Sequence, residues 1–105
     1  MSWSTVSDLE DKLAPLRQRF LERLRGNLPA LLALREDLED EIARMELIAA
    51  AHKIAGMAGT MGYPELGAAA RMLEEGLVYR PGETTMSRAD IDKLTDCIRA
   101  LIGKD

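Results

Sequence analysis

His52, the one histidine of the chain, is the side chain best suited to covalent chemistry. A neutral imidazole offers a ring-nitrogen lone pair, and because free imidazole titrates near about 6.5, a histidine that faces water is largely neutral at cytoplasmic pH. Such a ring can serve as a metal ligand, a catalytic base or a nucleophile. A zinc site needs three or four protein ligands, and one histidine with one cysteine, Cys97, does not supply them. A hydrolytic triad needs a partner nucleophile and an orienting acid, neither of which is identifiable beside His52. Those exclusions leave a nucleophilic ring nitrogen or a purely structural histidine, and residue type alone does not choose between them.

The positions around His52 read as a helix from about Glu41 to Met61. At about 100° per residue, Leu47, Ala50, Ile54, Ala58 and Met61 fall on one side, at the spacing of a core seam. His52 falls roughly opposite. Its neighbours at three, four and seven residues are Met45, Ile48, Ala49, Ala55, Gly56 and Gly59, all apolar or very small. A polar flank of Arg44, Glu46, Lys53 and Thr60 separates the two faces. The expectation is an imidazole in a shallow, uncharged clearing. Each glycine inside a helix costs about 0.8–1 kcal/mol relative to alanine, so Gly56 and Gly59 call for a reason. One reason is access, since a helix without side chains one turn beyond His52 lets another protein approach the ring. The other is packing, with both faces of a central helix buried and His52 a hydrogen-bonded core residue.

From Ala51 to Glu74 the chain reads His52-Lys53-Ile54-Ala55-Gly56, then Gly59-Thr60-Met61-Gly62-Tyr63-Pro64-Glu65-Leu66, then Ala69, Ala70 and Leu73-Glu74. This pattern resembles the histidine-containing phosphotransfer (Hpt) domains of bacterial phosphorelays, in which a bundle-helix histidine is followed four residues on by glycine and later by a helix ending in Leu-Glu. The commonest family form has lysine three residues after the histidine. Here that position is Ala55, and the lysine is Lys53, one residue after.

The resemblance implies a phosphorelay intermediate in which His52 is the phospho-accepting residue, taking a phosphoryl group from a receiver-domain aspartate and passing it to another. Met45, Ile48, Ala49, Lys53, Ala55, Gly56 and Gly59 are the residues expected to meet the phosphoryl group or the docked receiver. The implied partners are response-regulator receiver domains and a hybrid histidine kinase. No resident cofactor or metal is expected, because Mg²⁺ belongs to the receiver, and phosphoryl transfer needs positioning and charge neutralisation that a donor's metal can supply. Two other readings stay open at this point. One is a helical adaptor that binds a receiver or kinase without relaying phosphate, to which the missing lysine at Ala55 points. The other is an unrelated structural bundle with His52 buried.

Composition sets the outer limits. With 105 residues and 47% hydrophobic content, the chain is expected to form one domain, 1–105, around one core. No Walker-type glycine loop is present, so autokinase activity is not expected and the chain reads as a phosphocarrier, not an enzyme. A net charge of −4, with the fourteen Lys and Arg interspersed among acids, argues against nucleic-acid binding. Cys97 alone gives no disulfide framework, consistent with a reducing, cytoplasmic setting. The opening residues have neither a basic flank nor an apolar run, so no signal peptide or membrane span is expected, and the protein is expected to be monomeric.

Amphipathic segments follow one another with no alternating β-branched window, which gives an all-α class. A short opening helix is expected from near Ser7, with Asp8 and Glu10 at its start, ended or restarted by Pro15. Leu16, Phe20, Leu24 and Leu28 then recur at helical spacing, with an interruption at Gly26-Asn27 and Pro29. The acidic run from Asp37 to Glu41 is expected to cover the turn into the histidine helix. Gly62 stops that helix and Pro64 starts the next. A loop spans Val78 to Met86, and Ser87 caps a last helix carrying Ile91, Leu94, Ile98, Leu101 and Ile102. Short connections favour antiparallel neighbours. The expected fold is an up-down antiparallel four-helix bundle with a short extra N-terminal helix.

Overall fold

The structure, a computed structural model, describes residues 2–103. It consists of α1 (Ser2–Arg35), α2 (Glu41–Met61), α3 (Pro64–Tyr79) and α4 (Thr84–Ile102). The connections are too short for anything but reversal of direction, so consecutive helices pack antiparallel and α4 closes against α1. This is the expected up-down four-helix bundle. Among the described residues no helix is long and apolar enough to cross a membrane.

The expected short extra helix is instead the first half of α1, which continues through Pro15 and Pro29 for 34 residues. Both prolines lie on exposed positions, as do Asp11 and Arg25, whose carbonyls lose their helical donors. Water can bond those carbonyls, so neither proline ends the helix. At about 1.5 Å per residue α1 is about 51 Å long, close to the 54 Å long axis of the molecule. Its first core residue among those described is Phe20, and Leu9 and Leu16 before it are exposed.

Phe20, Leu24, Leu31 and Leu38 meet Leu47, Ile54 and Met61 of α2, Leu66 and Leu73 of α3, and Ile91, Leu94 and Ile98 of α4 in one core. Arg35 at the end of α1 grips Asp92 of α4 with two parallel bonds, Nε to Oδ1 at 2.8 Å and Nη2 to Oδ2 at 3.0 Å. The Arg35 hydrogen bond holds the Asp92 carboxyl below its usual range, and the same bond raises the guanidinium.

The turn into α2 is capped as its acidic sequence requires. Asp40 accepts from the Ala43 amide at 3.3 Å, and Arg44 donates to the carbonyls of Leu38 and Glu39. At the other end Gly62 adopts φ +85°, a left-handed conformation that suits glycine. Its amide bonds to Gly59, while the Tyr63 amide reaches Ala58 at 2.9 Å, which together make a Schellman closure. Arg17 donates from Nε to the Met61 carbonyl at 2.9 Å, placing a cation at the negative end of α2. Phe20 and Tyr63 stack beside this turn with ring centroids 6.0 Å apart.

The loop before α4 is shorter than the sequence indicates. α3 runs to Tyr79, and α4 begins at Thr84 with Glu83 as its N-cap residue. Ser87 is therefore not a cap. Its amide bonds to the Glu83 carbonyl at 3.0 Å, inside the first turn, and its side chain is buried. The tight Arg80–Glu83 turn, closed by a 3.1 Å amide-to-carbonyl bond, lets the helix start four residues early, with Glu83 in place of Ser87 at the cap.

Candidate functional site

Small residues decide how closely α3 approaches α2. On α2 they are Ala51, Ala55 and Ala58, and on α3 Gly67 and Ala70, all buried. A Cβ on Gly67 would stand 3.5 Å from the Ala58 Cβ and 3.8 Å from the Ala55 carbonyl oxygen, so the helices meet almost backbone to backbone. The tight turn at 62–63 then reflects one helix on the other. Gly67 lies opposite Ala58, and two turns further along α3 Glu74 lies opposite His52.

The result is a hydrogen bond between His52 Nδ1 and Glu74 Oε2 at 2.9 Å. The His52 side chain is 75% exposed and that of Glu74 24% exposed, so the ring stands in solvent while the carboxylate that holds it is half-sheltered. The buried structural histidine is excluded. An ionised carboxylate only accepts, so Nδ1 carries the hydrogen and donates it. In the neutral ring the lone pair is then on Nε2, away from Glu74. This is how a nucleophilic imidazole is oriented, with one nitrogen fixed as donor and the other free to attack.

The clearing around His52 is not uncharged, as the α2 sequence alone implied. An open depression beside the ring is lined by Ala55, Gly56, Gly59 and Thr60 of α2 and by Arg71 and Glu74 of α3. Nor does His52 lie opposite the buried face. α3 packs on the side of Ala51 and Ala55, so burial extends around α2 to the edge of the imidazole, while Ala50, assigned to the seam, is only half-buried.

The expected site residues separate into two groups. Ala55, Gly56 and Gly59 share the depression with His52, Ala55 as its buried floor at 8% exposure and the glycines as its exposed rim. Met45, Ala49 and Lys53 are exposed outside the depression, and Ile48 is half-buried against the core. A Cβ at Gly56 or Gly59 would meet nothing within 4 Å, so neither glycine is required for helix packing. Both leave the surface next to the ring low and flat.

Glu74 and Arg71 are the functional candidates that reading α2 by itself missed. A signal was present: Leu73-Glu74 closed the pattern that carried the resemblance, and Gly62 with Pro64 marked a tight reversal. Reflecting the sequence about that reversal places residue 74 across from residue 52. Among the described residues no three His, Cys, Asp or Glu side chains gather as a metal site. Cys97 lies in a groove between the α2–α3 turn and the end of α4, and its burial, with Glu65 and Asp96 nearby, pushes the thiol above its usual value. It is the opposite of an activated thiolate.

A family model described as "Hpt domain" matches residues 15–104. No curated protein and no solved structure matches the chain.

Proposed function

The chain belongs to the Hpt domain family, whose members are phosphocarriers of two-component systems, and from that premise we propose that it is a phosphorelay intermediate whose acceptor atom is His52 Nε2. The observation that carries this reading is the pairing of an exposed imidazole with Glu74, which commits Nδ1 and frees Nε2.

The chemistry balances without an added proton carrier. The Nε2 lone pair attacks the phosphorus of a receiver aspartyl phosphate, the N–P bond forms, and the bond from phosphorus to the aspartyl oxygen breaks. The aspartate leaves as a carboxylate. Nδ1 keeps its hydrogen, so the ring gains positive charge, and the Glu74 carboxylate faces that charge. Reversal of the same steps delivers the phosphoryl group to a second receiver. Mg²⁺ is supplied by the receiver, and the low surface at Gly56 and Gly59 lets the receiver's acidic pocket reach the ring. The setting is cytoplasmic, and a hybrid histidine kinase is the source of the first phosphorylated receiver.

The test is the His52→Gln variant offered a phosphorylated receiver. Wild-type protein takes up label and the variant takes up none, while circular dichroism and Tm stay close to wild type, because exposed substitutions change stability by about 0.5 kcal/mol or less. Uptake by the variant, or its failure to fold, contradicts the assignment.

A further inference from the structure

We propose that Arg71 of α3 is the residue of this chain that binds the phosphoryl group on His52. The inference rests on the reading of His52 as the acceptor and adds the cation that such an acceptor needs. A phosphoryl group on Nε2 brings a charge of about −1.5 to −2 to a ring whose Nδ1 already faces the Glu74 carboxylate at 2.9 Å. Two anionic groups on one imidazole repel, so a cation at this position stabilises the phosphorylated state more than the free one.

Arg71 is the one cation among the residues lining the depression with His52. It lies one turn before Glu74 on α3, level with the position one turn after His52 on α2. A helical side chain leans toward the N-terminus of its own helix, and the Arg71 guanidinium does so, with Nη2 3.7 Å from where a Cβ on Gly67 would be. That places it over the α2–α3 contact at the level of Ala55 and Ala58. Gly67, having no side chain, gives the fork room to lie there.

The guanidinium is also uncommitted. Arg17 and Arg44 are tied to backbone carbonyls, and Arg35, Arg80 and Arg99 to carboxylates. Among the described residues Arg71 makes no ion pair, although it is exposed beside two glutamates of its own helix. A planar fork with several free donors suits phosphoryl oxygens, which it can bond in pairs. Lys53 follows His52 in sequence but lies about 100° around the helix from it and does not line the depression.

The experiment uses phosphoramidate as donor to the full chain, so that no receiver surface enters the measurement. Nε2 displaces ammonia from phosphorus, and the product is followed by ³¹P NMR and intact mass in wild type, Arg71→Ala and Arg71→Lys. In Arg71→Ala, uptake is expected to slow about five- to tenfold, tenfold corresponding to about 1.4 kcal/mol. The ³¹P shift of the bound phosphoryl group titrates at higher pH than in wild type, because its dianion has lost a facing cation. Arg71→Lys restores part of both effects, which a purely structural arginine would not require. Wild-type uptake and an unmoved titration in Arg71→Ala overturn the assignment of Arg71 and leave His52 as acceptor. If wild type takes no label, or His52→Gln takes as much, the acceptor reading fails and the proposal fails with it.

Discussion

Replacing Glu74 tests how much of the His52 chemistry comes from α3. Glu74→Ala removes both functions of the carboxylate, selection of the Nδ1–H form and stabilisation of the positive ring during transfer. Glu74→Gln keeps an amide oxygen that can accept from Nδ1 but removes the charge. Two unit charges about 4 Å apart interact by about 1 kcal/mol in water and about 4 kcal/mol at an effective dielectric of about 20. With the His52 side chain 75% exposed, the lower part of that range applies, about 1–2 kcal/mol for the charge. Loss of the hydrogen bond that fixes the tautomer adds about 1 kcal/mol. Transfer from a saturating phosphorylated receiver should therefore slow roughly 30- to 150-fold in Glu74→Ala and roughly 5- to 30-fold in Glu74→Gln. Rapid-quench transfer across a receiver concentration series separates this loss from docking. The plateau rate falls while the concentration for half-maximal rate stays within about twofold. Plateau rates equal to wild type in both variants, or a Gln variant slower than the Ala variant, would refute the role assigned to the carboxylate.

Gly56→Ala should raise stability by about 0.5–1 kcal/mol, since the new methyl meets nothing and helix propensity improves, whereas Gly56→Leu should fold equally well yet slow receiver-dependent transfer; Tm and transfer rates measured side by side check both. Leu94→Ala, which empties a fully buried position on α4, should cost about 2–5 kcal/mol of a total of roughly 5–15, visible as a large drop in urea midpoint. The Arg35–Asp92 pair contributes stability that is complete above the ordinary carboxylate range and is lost as pH falls through the depressed Asp92 value. Asp92→Asn should thus be less stable than wild type near neutrality and show a shallower loss in acid, read from urea midpoints across pH; an unchanged acid limb contradicts the pairing.

The helix boundary at the end of α2 was legible in the sequence, and the surroundings of His52, which depend on two elements, were not. Gly62 and Pro64 mark the α2–α3 boundary because left-handed closure and helix initiation are local requirements. Angular position on a single helix left His52 either exposed or a hydrogen-bonded core residue, and its exposure agrees with what the resemblance implied. The charged character of its surroundings did not follow from α2 alone, because Glu74 and Arg71 arrive from α3, and their register depends on how closely Ala55, Ala58 and Gly67 allow the two helices to pack. Pro15 and Pro29 gave the wrong boundaries in α1 because local rules assume that the freed carbonyl is unsatisfied, and on an exposed face it is not. Ser87 had the form of a cap but lies inside α4, where burial of its neighbours Ile91 and Leu94 and the tight turn at Arg80–Glu83 set the helix start instead.

The most direct measurement is the position of the phosphoryl group on the ring. Histidine labelled with ¹⁵N in the full chain, loaded from a phosphorylated receiver, reports by ¹⁵N–³¹P coupling which nitrogen bears phosphorus. The account predicts coupling to Nε2 of His52 with Nδ1 still protonated. Coupling to Nδ1, or a receiver that loses its label with no phosphohistidine formed, would contradict it.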